Sequence, residues 1–136
     1  MGVKLASACL CGLRCTWCGK DKLDPAVLEM VKRGEAVPVC PEQLGGLPTP
    51  REACEQRDGK VFSKTGKDYT EAFNRGAREV LKLAQSIGAT EFIGKAKSPS
   101  CGAGRVYDGT FIGTLTDGDG VTAKLLKNNG IKISSA

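Results

Sequence analysis

Seven cysteines and no histidine define the chemistry open to this chain. Without an imidazole there is no Ser-His or Cys-His nucleophile, no His-based zinc site, and no side chain that ordinarily titrates near neutral pH. Proton transfer falls to Asp, Glu, Lys, Tyr, a thiol or water. Three of the cysteines share a setting. Cys9 follows Val3-Lys-Leu-Ala-Ser-Ala8. Cys40 follows Ala36-Val-Pro-Val39 and precedes Pro41-Glu42. Cys101 lies in Lys95-Ala-Lys-Ser-Pro-Ser-Cys-Gly-Ala-Gly-Arg105, behind the apolar run Phe92-Ile93-Gly94. Each is delivered by a short apolar segment into a loop rich in Gly, Pro or Ser. Thiolates are soft ligands that suit zinc or an iron–sulfur cluster. Three widely spaced ligands form a site assembled by the fold, unlike a finger-type knuckle. A cluster held by three thiolates keeps one iron open to substrate or water. The competing reading is three small buried hydrophobes, a common role for free cysteine.

Other side chains in these loops have chemistry to offer. Glu42, two residues past Cys40, is a candidate proton-transfer group. Ser98 and Ser100 flank Pro99 just before Cys101; either hydroxyl can orient water or substrate, or simply cap a turn. Lys95, Lys97 and Arg105 put positive charge around the site, which suits an anionic cluster or substrate. Cys15-Thr-Trp-Cys18 is a CxxC, which serves as half a zinc site, a redox pair or two cluster ligands. It has no second CxxC to complete a knuckle, and Gly19-Lys-Asp-Lys follows it rather than a helix. Cys11 and Cys54 are assigned to packing. Thr65-Gly66-Lys67 lacks the earlier glycine of a phosphate loop, and Gly102-Ala-Gly104 lacks the third glycine of a dinucleotide fingerprint.

The elements needed to position these residues are legible. Strands are expected at 3–8, 36–39 and 91–95, with short ones at 60–64 and 131–133. Pro38 marks the second as an edge or irregular strand. Asp24-Pro25 opens a helix as N-cap and first-turn proline, and Gly34 closes it. Phe73, Ala77, Val80, Leu81, Ala84 and Ile87 recur at helical spacing, giving the longest helix from Thr70 to about Ile87, ended by Gly88. Another helix runs over 121–129. The Pro- and Gly-rich segment 41–57 reads as a long loop, a feature that is commonly functional. Tyr107 to Leu115 reads as a hairpin turning at Asp108-Gly109. Alternation of strands and helices gives an α/β fold with a mainly parallel sheet, in which ligands bind at the carboxyl ends of the strands.

The 136 residues suffice for one domain. A net charge of +5 is mild, and excludes the strong basic signature of a dedicated nucleic-acid binder. No apolar run reaches the ~20 residues that span a bilayer. The amino-terminal segment reads as a first strand rather than a leader, and the odd cysteine count argues against a disulfide framework. A cytoplasmic location is expected.

Ser7-Ala-Cys-Leu-Cys-Gly-Leu-Arg-Cys15, Pro38-Val-Cys-Pro-Glu-Gln-Leu-Gly-Gly-Leu-Pro-Thr-Pro-Arg51, Lys97-Ser-Pro-Ser-Cys-Gly-Ala-Gly-Arg105, Tyr107-Asp-Gly-Thr-Phe111 and Gly118-Asp-Gly-Val-Thr122 resemble the DUF523 family, which includes the thiouracil desulfidases. The resemblance covers nearly the whole chain. It implies a single Rossmann-like three-layer domain over 1–136, and a [4Fe–4S] cluster held by Cys9, Cys40 and Cys101. It also implies removal of sulfur from a thiolated pyrimidine, free or in tRNA, with Glu42 moving protons and Ser98 or Ser100 assisting. Lys97 and Arg105 are the expected substrate contacts. In the first loop Cys11 replaces the family's usual Leu, and Thr16-Trp17-Cys18-Gly19 replaces an Arg-Tyr-Asp-Gly-like run. The alternative is a zinc-binding or thiol-redox module built on Cys15 and Cys18.

Overall fold

The computed structural model describes Gly2–Ala136. Four parallel strands form the central sheet: β1 (Lys4–Ser7), β2 (Ala36–Val39), β5 (Glu91–Gly94) and β8 (Lys132–Ser135), in the order β2-β1-β5-β8. Between them lie the helices α1 (Pro25–Lys32), α2 (Pro41–Leu44), α3 (Thr70–Ile87) and α4 (Val121–Asn128). Two antiparallel hairpins complete the domain. One joins β3 (Cys54–Arg57) to β4 (Lys60–Ser63), the other β6 (Arg105–Tyr107) to β7 (Leu115–Asp117).

The strands alternate their side chains between two apolar layers. Leu5 and Phe92 are buried with Val80, Ala84, Ala123 and Leu126 of α3 and α4. Their neighbours Ala6 and Ile93 are buried with Val27 of α1. A sheet covered on both faces gives the α/β fold with a parallel sheet expected from the alternating pattern, in the three-layer, Rossmann-like form that the resemblance implies. Pro38 is tolerated because β2 is an edge strand, paired among the described residues only with β1. Helix α1 starts where expected, with Asp24 Oδ1 accepting from the backbone N–H groups of Ala26 and Val27. Gly88 ends α3 in the left-handed conformation (φ 67°). Ile87, expected inward, is exposed on the last turn.

Two expectations change. The segment 41–57 is not a single loop: it opens with the one-turn helix α2 and closes with β3, which pairs with β4. The turn between them is Asp58-Gly59, both at positive φ (52° and 75°), a primed two-residue hairpin turn. The second hairpin has its strands outside 107–115, because Gly109 and Phe111 donate their N–H groups to Glu55 Oε1 and pin the intervening loop to β3. No described helix is long and apolar enough to cross a membrane.

Candidate active site

Strands β1, β2 and β5 are adjacent and parallel, so their carboxyl ends share one edge of the sheet. The chain leaves β1 through α1 to reach β2 on one side, and leaves β5 through α4 to reach β8 on the other. That reversal opens a crevice between β1 and β5. Cys9 enters it from a 3₁₀ turn after β1, Cys40 from the N-cap of α2, and Cys101 from the turn after β5. All three line one cavity of about 420 Å³, together with Cys15, Glu42, Arg51, Ser98 and Ser100. Cys9, Cys15 and Cys101 are buried and Cys40 is half-buried.

Close backbone packing fixes these positions. A Cβ on Gly94 would lie 1.9 Å from the carbonyl oxygen of Cys101, so only glycine lets the Cys101 turn fold back onto β5. A Cβ on Gly76 would lie 1.9 Å from the carbonyl oxygen of Pro41, so α3 can receive α2 at backbone contact. Helix α4 has no side-chain cap; instead its first amides donate to the turn that carries the site. Val121 N–H bonds Pro99 O at 2.8 Å, and Thr122 N–H bonds Ser100 O at 2.9 Å. Gln56 Nε2 adds a bond to Pro99 O at 2.9 Å.

A chain of hydrogen bonds runs across the cavity wall. Ser100 Oγ donates to Glu42 Oε2 at 2.9 Å. That uses its single proton, so the 3.1 Å contact between the two serine hydroxyls is made by the proton of Ser98. Ser98 Oγ also accepts the N–H groups of Ser100 and Cys101, at 3.2 and 3.0 Å. The proton direction is therefore Ser98 to Ser100 to Glu42, from a half-buried hydroxyl to a buried one. The other carboxylate oxygen, Oε1, accepts from Arg51 Nε at 2.9 Å; both side chains are largely buried.

The thiols modify one another. Cys40 is held well above the usual thiol range, first by its hydrogen bond with Cys15 and then by burial. For Cys15 the contact with Cys40 acts downward, but the bond to Cys9, burial and the charge of Cys9 raise it to about 11. Burial pushes Cys101 to about 11 against the hydroxyls of Ser100 and Ser7. The cavity is positive: Lys20, Lys22, Lys95 and Lys97 line it with Arg51, against Glu42 and Glu55. Burial lowers the pKa of Lys95, whose Nζ donates to Ala96 O at 3.0 Å.

Of the residues singled out in the sequence, Cys9, Cys40, Cys101, Glu42, Ser98, Ser100 and Lys97 meet in this cavity. Arg105 does not line it. Its guanidinium crosses the β6–β7 ladder to Asp117 Oδ1 at 2.7 Å, because the two residues are direct partners in that hairpin. Cys11 packs against the α1-side core, as expected. Cys54 lines the cavity, half-buried, rather than only packing. Cys15 and Cys18 are separated in environment: Cys15 is buried among the other thiols, and Cys18 is an exposed rim residue. Arg51 was missed, and its only sequence signal was a lone basic residue closing a Pro- and Gly-rich stretch.

Residues 5–136 match the family model described as 2-thiouracil desulfurase. The chain belongs to the 2-thiouracil desulfurase family. It is 40% identical to the uncharacterized protein YbbK of Bacillus subtilis (strain 168), over 96% of this chain and 93% of that one. Its fold superimposes on a solved [4Fe-4S]-dependent thiouracil desulfidase, TudS, with a TM-score of 0.95 and 37% identity. That match covers 99% of this chain and 91% of the other. The DUF523 resemblance and the Rossmann-like three-layer fold it implied are both borne out. The family is one of enzymes, so the converging thiols belong to an enzyme fold.

Proposed function

We propose that this protein is a [4Fe–4S]-dependent desulfidase that converts a small thiolated pyrimidine, such as 2-thiouracil, into its oxo form, with Cys9, Cys40 and Cys101 holding the cluster. The observation that carries the reading is the convergence of three thiols from three adjacent strand ends on one cavity walled by Glu42 and Ser100. The donor set fits: soft thiolates, mostly buried, in a lysine-lined cavity that balances an anionic cluster. The pair that a zinc or redox module would use is split between environments, with Cys15 buried and Cys18 exposed.

When bound, the cluster supplies a Lewis-acidic iron with an open position for a thiocarbonyl sulfur. The rest belongs to the chain. Glu42 Oε2 receives the proton of the attacking water and returns one to the departing sulfide. Ser100 fixes that oxygen, and Ser98 supplies a proton path from the cavity. The balance is thiouracil plus water giving uracil plus hydrogen sulfide, with no net electron flow. Lys20, Lys22 and Lys97 hold negative charge on the bound species. A volume of about 420 Å³ is that of a small-molecule site, which favours a free base over a thiolated tRNA. Unpaired thiols suit a reducing cytoplasm.

The test is anaerobic incubation of the iron-loaded protein with 2-thiouracil, measuring sulfide and uracil. Equal release of both is expected. Iron-loaded protein that releases neither from 2-thiouracil nor from 4-thiouracil contradicts the reading.

A further inference from the structure

The side chain of Arg51 is 6% exposed, and each of its guanidinium nitrogens is bonded. Nε donates to Glu42 Oε1 at 2.9 Å. Nη2 donates to the carbonyl of Cys15 at 2.8 Å. Nη1 donates to Pro48 O at 3.1 Å and to Thr49 Oγ1 at 2.8 Å. Its own backbone N–H bonds Trp17 O at 2.8 Å. Three segments that share no strand pairing are thus joined at one side chain: the loop after β1, helix α2 after β2, and the stretch 45–53. A buried charge with this many fixed bonds is retained where geometry matters, since burial without partners is costly. Lysine cannot replace the planar fork, because one ammonium cannot reach four acceptors lying in divergent directions.

The chemical consequence falls on Glu42. A guanidinium donates hydrogen bonds and holds its protons throughout. The bond from Arg51 therefore marks Oε1 as the held oxygen and leaves Oε2 as the one that faces the serine chain. Rotation about the carboxylate bond would swap the two oxygens, and the paired bonds from Arg51 and Ser100 block it.

We propose that Arg51 is the positioning residue of the reaction, acting through Glu42 by holding its carboxylate with Oε2 toward the serine chain. The proposal rests on the reading of Glu42 as the proton-transfer group. Arg51 contributes no thiolate to the cluster, so cluster content is a separate readout.

The experiment is a double-mutant cycle on the anaerobically prepared holoenzyme with 2-thiouracil: Glu42→Gln, Arg51→Met and both together. Arg51→Met is expected to keep its iron and its visible absorbance. Its kcat should fall about thirtyfold or more while KM changes less than about threefold. On the Glu42→Gln background the same change should cost less than about threefold. Added guanidinium ion should restore part of kcat to Arg51→Ala and none to Arg51→Ala/Glu42→Gln. Equal losses on both backgrounds overturn the proposal, as does an iron content that falls with kcat. If Arg51→Met does not fold, Arg51→Lys takes its place in the cycle. Its kcat should lie below wild type and be unaffected by the substitution once Glu42 is Gln; wild-type kcat in Arg51→Lys overturns the proposal. Failure of the underlying reading has a different signature, wild-type kcat in Glu42→Gln.

Discussion

Ser100 Oγ donates to Glu42 Oε2 at 2.9 Å, across 58 positions of the chain. The bond ties the loop after β5 to the helix after β2 at the cavity that also holds the three strand-end thiols. In the proposed mechanism it pairs the base with the hydroxyl that orients it.

Breaking that bond should affect turnover and leave the cluster alone. Glu42→Gln keeps the shape and removes the basic oxygen, and kcat should fall about a hundredfold or more. Ser100→Ala should fall less, about tenfold, because Glu42 retains its bond to Arg51. Steady-state assays beside iron analysis check this: unchanged iron with reduced kcat is expected in both variants.

A second prediction concerns the backbone contact beneath the site. Gly76→Ala puts a methyl group against the carbonyl of Pro41, where the added carbon would lie 1.9 Å from the oxygen if nothing moved. Helix α2 must move, carrying Cys40 and Glu42 with it. Thermal denaturation should show a loss of about 1–3 kcal/mol, the usual range for overpacking, accompanied by a lower kcat.

The non-ligand thiols should separate by reactivity. Cys18 is exposed, and its thiol is lowered first by the Thr16 hydroxyl. Cys54 is pushed up to about 12 by burial, then by the charges of Glu42 and Glu52. Alkylation needs the thiolate. Raising pH from 7 to 9 should therefore speed labelling of Cys18, while at pH 9 Cys54 is ionised in only about one molecule in a thousand. Peptide mapping after brief iodoacetamide treatment of the holoenzyme should find Cys18 modified first and Cys54 protected.

Arg105→Ala should be nearly silent. Its partner is Asp117 in an exposed cross-strand pair, worth at most about 1 kcal/mol. The ratio kcat/KM is expected within about twofold of wild type in a steady-state assay.

The convergence of Cys9, Cys40 and Cys101 was legible because each follows a buried apolar run, and parallel strands bring their carboxyl ends to one edge. Glu42 and the two serines were legible as neighbours of those ends. The bond between Glu42 and Ser100 was not, since nothing local relates α2 to the turn after β5. Arg51 escaped notice for the same reason: its partners are a carboxylate nine residues away and a carbonyl 36 residues away. The β3–β4 hairpin was hidden because Cys54-Glu-Gln-Arg57 has no apolar alternation, although Asp58-Gly59 is a strong turn signal. Arg105 misled because it closes the Cys101 motif in sequence while β6 carries it out to Asp117.

The most direct measurement is iron and acid-labile sulfide per chain, after anaerobic purification, in wild type and in Cys9→Ser, Cys40→Ser, Cys101→Ser and Cys54→Ser. The account predicts about four irons and four sulfides in wild type and in Cys54→Ser, with loss of the cluster in the other three. Full iron in Cys9→Ser, Cys40→Ser or Cys101→Ser, or a colourless wild-type protein that takes up no iron on anaerobic reconstitution, would contradict it.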